Sequence, residues 1–329
     1  LAEELPLHGI RTILAATKKV RTQRARFIRV PKWALFSNRW HDAEQPWSEA
    51  CADVVAAVKT EIQFVIVSDA MLRVAVKLKR IRGVPFCLLN TTYHYFSNST
   101  DLSIETSSYF AGRASLVENA SLILHASDPH FEGRPIADSP KHRWIGPIFW
   151  EPTDFAPTCL RQSGDSWVLV SLSLAPLVDD ESIAQTVNKA LNKIAVRAIW
   201  TARARIRNSN CAVRLQRFAS HSKILPHVRI CVCHAGHGTV MKAMAHGVPM
   251  VLIPAGRDQF GVAKRAEACG VAVVVPRKSL TVIAARRAIE EVLSNPKYGR
   301  NAGKWAERLR DTDAAKVAAF HLRQLANAA

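Results

Sequence analysis

The sequence has no uninterrupted apolar run of the roughly 18–20 residues that a membrane-crossing helix needs. No secretory leader is expected from the residues at hand: Leu1 opens directly into Ala-Glu-Glu-Leu, with no basic flank followed by an apolar stretch. Acidic residues are scarce, 27 Asp and Glu against 45 Lys and Arg, for a formal net charge of +18. Such an excess admits nucleic acid, an anionic membrane surface or anionic substrates as partners. Yet the basic residues are scattered, many as Arg on helix-like faces (Arg286, Arg287, Arg300, Arg308, Arg310). No helix-turn-helix, zinc finger or aromatic RNA-binding signature accompanies them. A solvated basic surface is expected, with peripheral membrane contact left open and no specific nucleic-acid partner. Internal repeats and low-complexity segments are absent as well.

The seven cysteines are odd in number and lie in apolar surroundings. That excludes a secreted disulfide framework and points to reduced, mostly buried thiols in a cytoplasmic protein. Cys231-Val232-Cys233-His234 invites a metal reading. No second ligand pair lies at zinc-finger spacing, however, and the run reads as a buried strand. No metal and no resident cofactor are expected.

What the chain does have is length and apolar content for two cores. Its 329 residues are 48% hydrophobic and 22% charged, a globular composition at a two-domain length. Short apolar runs at Thr12–Ala16, Phe64–Val67, Pro85–Leu89 and Ser121–Leu124 read as buried parallel strands. Met71–Ile81 has helical spacing and stops at Arg82-Gly83. The stretch 151–166 is irregular and contains Pro152 and Pro157, just after Pro147, and reads as a linker.

The pattern then restarts. Strands are expected at Trp167–Ser171, Ala198–Thr201, Ile230–Cys233, Met250–Pro254 and Val271–Val275, with helices at Glu181–Ile194 and Phe260–Ala268. From Leu280 the sequence is helical, broken at Pro296. This predicts an α/β domain at 1–150, a linker at 151–166 and a second α/β domain at 167–329 that includes the helical tail. In parallel α/β folds, ligands bind at the carboxyl ends of the strands.

The strand ending at Cys233 runs into His234-Ala235-Gly236-His237-Gly238-Thr239. Gly236 and Gly238 permit close backbone approach. Thr239 is a good N-cap for the helix that follows, whose free N–H groups and positive dipole end suit a diphosphate. His234 adds a possible hydrogen bond to a phosphate oxygen, and Gly247 and Pro249 stop the helix. The next strand leads to Asp258-Gln259, a carboxylate and an amide of the kind that binds vicinal sugar hydroxyls.

The segment "CHAGHGTVMKAMAHGVPMVLIPAGRDQFGVAKRAEACGV" resembles the donor-binding region of family-one, UDP-glycosyltransferase-like enzymes, especially the bacterial macrolide and antibiotic type. The resemblance implies a GT-B fold, α/β with two Rossmann-like domains facing across a cleft. It places the diphosphate on His234, Gly236, His237, Gly238 and Thr239, and the sugar hydroxyls on Asp258 and Gln259. Ser171-Leu172-Ser173 is similar to the family's small-residue turn against the diphosphate, which adds Ser171 and Ser173. Phe218-Ala219-Ser220-His221 stands where the family stacks on the base and contacts the ribose, which adds Phe218 and His221. Leu174-Ala175-Pro176, Trp200-Thr201-Ala202 and Val262 depart from the family pattern.

"FVIVSDAMLRVAVKLKRIRGVPF" and "HRWIGPIFWEP" extend the resemblance through the first half. There Asp69 falls where the family keeps an acid that orients the catalytic His. The family's first strand and its Gly-rich loop with that His are expected to be missing, because Leu1–Gly9 is similar to the end of the first helix. Asp69 is thus expected to be the partner of a His not present in this chain.

The function implied is an inverting, metal-independent hexosyltransferase. It would move the sugar of a UDP- or dTDP-hexose co-substrate to a hydroxyl of an apolar small-molecule or lipid acceptor. Phe27, Trp33, Phe36, Trp40, Trp47, Tyr93, Tyr95 and Phe96 are candidates for the acceptor wall. Two alternatives stay open: a truncated or decayed nucleotide-sugar-binding protein without catalysis, and a GT-B lipid-carrier glycosyltransferase or nucleotide-sugar epimerase.

Overall fold

The computed structural model describes residues 13–16, 26–29, 63–68, 72–91, 114–133, 140–149, 151, 160, 167–172, 180–201, 214–215, 219–256 and 258–327. Side chains are excepted at 13–16, 26–29, 114, 180 and 214–215. The described residues divide into two compact units. One runs to Ile148 and includes Thr312–Ala329; the other is Phe149–Asp311.

In the first unit, β1 (Ile13–Ala16) pairs in parallel with β2 (Arg26–Arg29). A separate sheet joins β3 (Val65–Val67), β4 (Phe86–Asn90), β5 (Leu122–His125) and β6 (His142–Trp144), all parallel and in sequence order. Helix α1 (Leu72–Arg82) supplies the crossover from β3 to β4, and its buried face is Leu72, Val74, Ala75 and Leu78. The short helices α2 (Ala114–Val117) and α3 (Pro129–Glu132) flank β5. Asp128 caps α3 by accepting from the backbone N–H groups of His130 and Phe131.

The second unit holds a six-stranded parallel sheet. Its strands are β7 (Trp167–Ser171), β8 (Arg197–Trp200), β9 (Arg214–Leu215), β10 (Val228–Cys233), β11 (Met250–Leu252) and β12 (Ala272–Val274). Their spatial order is β12-β11-β10-β7-β8-β9. Numbered from the first strand of this unit, that is the doubly wound order 3-2-1-4-5-6 read from the opposite edge, and the chain reverses direction between β7 and β10. The helices are α4 (Asp180–Leu191), α5 (His221–Ile224), α6 (His237–Ala245), α7 (Gln259–Ala268), α8 (Val282–Ser294) and α9 (Pro296–Leu309).

The central strands are buried on both faces, which is why they read as continuous apolar runs. Val170, Trp200, Val232 and Val251 meet Val187 and Leu191 of α4 and Ile289 of α8 in one core. Each large side chain buried there is worth about 1.5–3 kcal/mol. Cys231 and Cys233 belong to the buried face of β10. The four described cysteines, 87, 231, 233 and 269, are all free.

The helical tail breaks where expected: α8 ends at Ser294, and Pro296 opens α9, because Asn295 caps it and proline is tolerated where no intrahelical N–H is needed. It departs from the expectation in one way. Helix α10 (Ala314–Asn327) groups with the first unit rather than the second. Its Ala314, Ala318, Ala319 and Leu322 form one small-residue stripe that packs on Cys87, Leu122, Leu124 and Ile145. Of the expected linker, only residues 151 and 160 are described. Among the described residues, no helix is long and apolar enough to cross a membrane.

Candidate functional site

The reversal between β7 and β10 opens a crevice at the carboxyl ends of those strands, and the glycine-rich turn sits there. In the sheet register Cys233 lies beside both Ser171 and Leu252, so the loops after β7, β10 and β11 start side by side. His234 Nδ1 donates to the Ser171 carbonyl across 3.3 Å, tying β10 to β7 at the switch point. A carbonyl only accepts, so Nδ1 carries a proton. A neutral ring held this way has a lone pair at Nε2.

Ala235 follows with φ of 62°, the one non-glycine with positive φ among the described residues, and it is fully buried. A β-carbon costs energy in that conformation, and the loop keeps it there by packing. Gly236 then serves as N-cap of α6 with no side-chain cap bond. A Cβ built on Gly236 would fall 2.6 Å from His234 Nε2, so only glycine lets the imidazole lie over the turn.

Helix α6 thus begins at His237, three residues earlier than an N-cap at Thr239 implies. Thr239 instead sits in the first turn, its N–H bonded to the Gly236 carbonyl at 3.0 Å. A Cβ on Gly238 would meet nothing within 4 Å, so space is open beside the helix N-terminus. A helix end without a side-chain cap, with space in front of it, has the geometry that suits an anion.

On the β11 side, Gln259 is the first residue of α7 and is 3% exposed. Its Oε1 accepts from the N–H of Ala255 at 2.8 Å and of Gly256 at 3.1 Å. Those two donors fix the amide orientation, since only the oxygen accepts. Gln259 is therefore half structural: its carbonyl clamps the loop, and its amide nitrogen takes no part in those bonds. Asp258 is the N-cap of α7, but its side chain does not cap it.

On the β8 side, Thr201 Oγ1 and His221 Nε2 are 2.9 Å apart. Burial pushes His221 down to about 4, Lys242 and His234 add to that, and Glu151 opposes it. His221 is therefore neutral at physiological pH. Sequence reasoning missed the neighbouring cluster. Lys242 of α6 donates to Glu151 at 2.8 Å, and the backbone N–H and hydroxyl of Ser222 each reach the same carboxylate at 3.1 Å. Burial raises the Glu151 carboxyl, but the bonds from Lys242 and Ser222 outweigh it and the net shift is downward. Separations of 71 and 91 residues along the chain hid this group.

The structure thus gathers Ser171, His234, Gly236, His237, Gly238, Thr239, Asp258, Gln259 and His221 at the carboxyl ends of one sheet. Asp69, Ser173 and Phe218 lie outside the described residues, as do the aromatic side chains proposed for the acceptor wall. Val262 is fully buried on α7 and acts as a core residue. Among the described residues, no group of three or more His, Cys, Asp or Glu has the placement to hold a metal ion.

The family described as "UDP-glucoronosyl and UDP-glucosyl transferase" matches residues 52–314. The chain belongs to this family. It is 32% identical over 209 residues to 4'-demethylrebeccamycin synthase of Lentzea aerocolonigenes, which covers 62% of this chain and 48% of that protein. It is 26% identical over 237 residues to human 2-hydroxyacylsphingosine 1-beta-galactosyltransferase, covering 70% of this chain and 42% of that one. The chain spans about half the length of these curated relatives.

Among solved structures, the spinosyn forosaminyltransferase superposes with a TM-score of 0.78 at 12% identity, covering 99% of this chain and 94% of the other. Os79 of O. sativa, solved in complex with UDP, gives 0.74 at 16% identity, covering 98% and 95%. At such identities the likeness is one of fold. The transferase family's GT-B fold, two Rossmann-like α/β domains, is the fold of this chain.

Proposed function

We propose that the second unit binds a nucleoside-diphosphate hexose, a UDP- or dTDP-sugar. We further propose that the protein is an inverting hexosyltransferase that moves the hexose to a hydroxyl of an apolar small-molecule or lipid acceptor. The observation that carries this reading is the turn at the switch point. There His234 is anchored to the Ser171 carbonyl, and α6 begins on a glycine without a side-chain cap. The diphosphate is proposed to lie against His237, Gly238 and Thr239, neutralised by backbone N–H groups, the helix dipole and His234. The hexose hydroxyls would meet the Asp258 carboxylate and the Gln259 amide nitrogen.

In the transfer step, an acceptor oxygen attacks the anomeric carbon from the face opposite the leaving nucleoside diphosphate. The α6 N-terminus stabilises the charge that develops on that diphosphate. On the acceptor side the attacking hydroxyl passes its proton to a catalytic His, and we assign Asp69 the role of orienting that His. The acceptor class draws support from the galactosyltransferase relative, whose named acceptor, a 2-hydroxyacylsphingosine, is a lipid.

A thermal-unfolding panel with UDP, dTDP, GDP and their hexose conjugates tests the reading. UDP or dTDP at a hundred times its dissociation constant should stabilise the fold by about 2.7 kcal/mol. If no nucleotide in the panel shifts the transition, the donor-site reading is wrong.

A further inference from the structure

Helix α1 carries a surface that has no role in the donor site. Its sequence includes Arg73, Lys77, Lys79, Arg80 and Arg82 and no carboxylate. One face, Leu72, Val74, Ala75 and Leu78, is buried in the first unit. Arg73, Lys77 and Arg80 follow one another at i, i+4 and i+7 on the outward face, and Arg82 is exposed at the end of the helix. None of these has an ion-pair partner among the described residues. Lys79 donates to the Asn119 carbonyl at 2.8 Å, and Lys141 to the neighbouring Glu118 carbonyl at 3.2 Å. Two further ammoniums are thus tied to one loop, whose only carboxylate is Glu118. Between Arg80 and Arg82 stands Ile81, 60% exposed.

Stability alone does not explain this set. Cations in the last turn of a helix favour it through the dipole, which accounts for Arg80 and Arg82. The same dipole favours acids in the first turn, where Arg73 stands, and does nothing for Lys77 in the middle. Single exposed apolar side chains are ordinary. Ile283, 63% exposed on α8, has Arg286 one turn on, and Glu290 neutralises that cation at 2.8 Å. On α1 the exposed isoleucine and the unneutralised cations coincide.

Cations around an exposed apolar side chain, on a helix whose other face is already buried, match an anionic lipid surface. Phosphate headgroups take the cations, and the acyl boundary takes the isoleucine. A single-stranded nucleic acid answers the charge as well, but it stacks on aromatic side chains, and α1 has none. We propose that α1 docks the first unit on membranes rich in anionic lipid, through Arg73, Lys77, Arg80 and Arg82, with Ile81 inserted among the headgroups. The inference rests on the proposed lipid acceptor only for this choice of occupant, because a lipid acceptor resides in a bilayer.

Cosedimentation of the full chain with vesicles of phosphatidylcholine, alone or with about one-third phosphatidylglycerol, tests it. Binding should require the anionic lipid and fall as salt rises. A cation at such a surface is worth about fivefold in affinity, so Arg73→Glu with Arg80→Glu should weaken binding at least about twentyfold. Arg300→Glu with Lys304→Glu, both exposed on α9 in the second unit, changes the net charge equally and should cost less than about threefold. Ile81→Gln leaves the charge alone and should weaken binding about three- to tenfold. Equal losses in the two double variants make binding a property of net charge and overturn the assignment. An Ile81→Gln protein that binds as the wild type does, or a wild type that ignores anionic vesicles, overturns it too. Tighter binding to single-stranded RNA than to vesicles, lost in Arg73→Glu with Arg80→Glu, gives the face to nucleic acid instead. If that variant does not fold, Arg80→Gln with Arg82→Gln takes its place, with an expected loss of at least about tenfold. UDP binding without vesicle binding removes the docking face alone, whereas vesicle binding without UDP binding removes the donor site and leaves the docking face.

Discussion

In the first unit, His125 stands at the end of β5 and uses both ring nitrogens within the protein. Asn90 Nδ2 lies 3.0 Å from its Nδ1 and His142 Nδ1 lies 2.9 Å from its Nε2, while its ring leans at 32° against Trp144 with 4.6 Å between centroids. In the second unit, Gln259 and Glu151 each hold their described bonds through one oxygen. Gln259 anchors through Oε1 and Glu151 through its own Oε1, each by main-chain or neighbouring donors, and in each the sibling atom takes no part in the anchoring. The strand-end location is the same in both units. A closed network rigidifies a core, and a half-anchored one presents an oriented atom to a ligand.

The largest expected effect breaks the closed network. His125 is 1% exposed, and His125→Ala removes its ring while leaving Asn90 and His142 without their shared partner. The loss should be about 2–4 kcal/mol in urea unfolding, with UDP affinity unchanged within about twofold. A folded His125→Ala protein that has lost UDP binding would erase the contrast between the two units.

The same histidine sets a pH signature. Burial, with His142 adding and Glu132 opposing, pushes His125 down to about 3, and His221 is pushed down to about 4. Both are neutral when folded but take a proton near 6.5 when unfolded. Their stabilisation is therefore complete above pH 6.5 and is lost as pH falls toward 4. Each contributes a slope of up to about 1.4 kcal/mol per pH unit. Denaturant midpoints measured from pH 8 to 4 should be flat and then fall, and His125→Ala should make the fall shallower by one proton's worth.

The second expected effect sharpens the open side. Gly236→Ala would drive a methyl into the His234 ring, which must leave the Ser171 carbonyl to escape it. UDP affinity should drop about tenfold or more, as for loss of the positioned His234 donor together with crowding of the turn. Gly238→Ala meets no neighbour, so the unfolding midpoint should hold or rise slightly, by up to about 1 kcal/mol from helix propensity. Its methyl nevertheless enters the space assigned to phosphate, and UDP binding should weaken. Gly238→Ala binding UDP as the wild type does would move the phosphate elsewhere.

Much of the second unit was legible because its signals are local. Strand Trp167–Ser171 is a run of five buried residues, and the His234–Thr239 turn carries its chemistry in six consecutive positions. The start of α6 was misjudged because Thr239 is a better cap by type than Gly236, yet the His234 ring over the turn demands the glycine there. The tail was assigned to the wrong unit because an alanine-rich stripe states that a helix packs closely and not against which sheet. Glu151 was invisible for the opposite reason. Its donors come from α5 and α6, far along the chain, and its own surroundings read as irregular linker.

The smallest expected effects separate phosphate from sugar within the half-anchored site. His234→Ala removes the ring at the switch point, and both UDP and a UDP-hexose should bind about tenfold more weakly, since both carry the diphosphate. Asp258→Ala should weaken the UDP-hexose by a similar factor, about ten, through lost carboxylate–hydroxyl bonds. It should leave UDP within about twofold, because the carboxylate lies on the β11 side while the diphosphate is assigned to α6. The measurement is the ratio of the two affinities in each variant: unchanged in His234→Ala, collapsed in Asp258→Ala. If both variants lose both ligands equally, the β11 loop reads phosphate as well, and the division of the site into a phosphate-binding centre and a hydroxyl-reading flank does not hold.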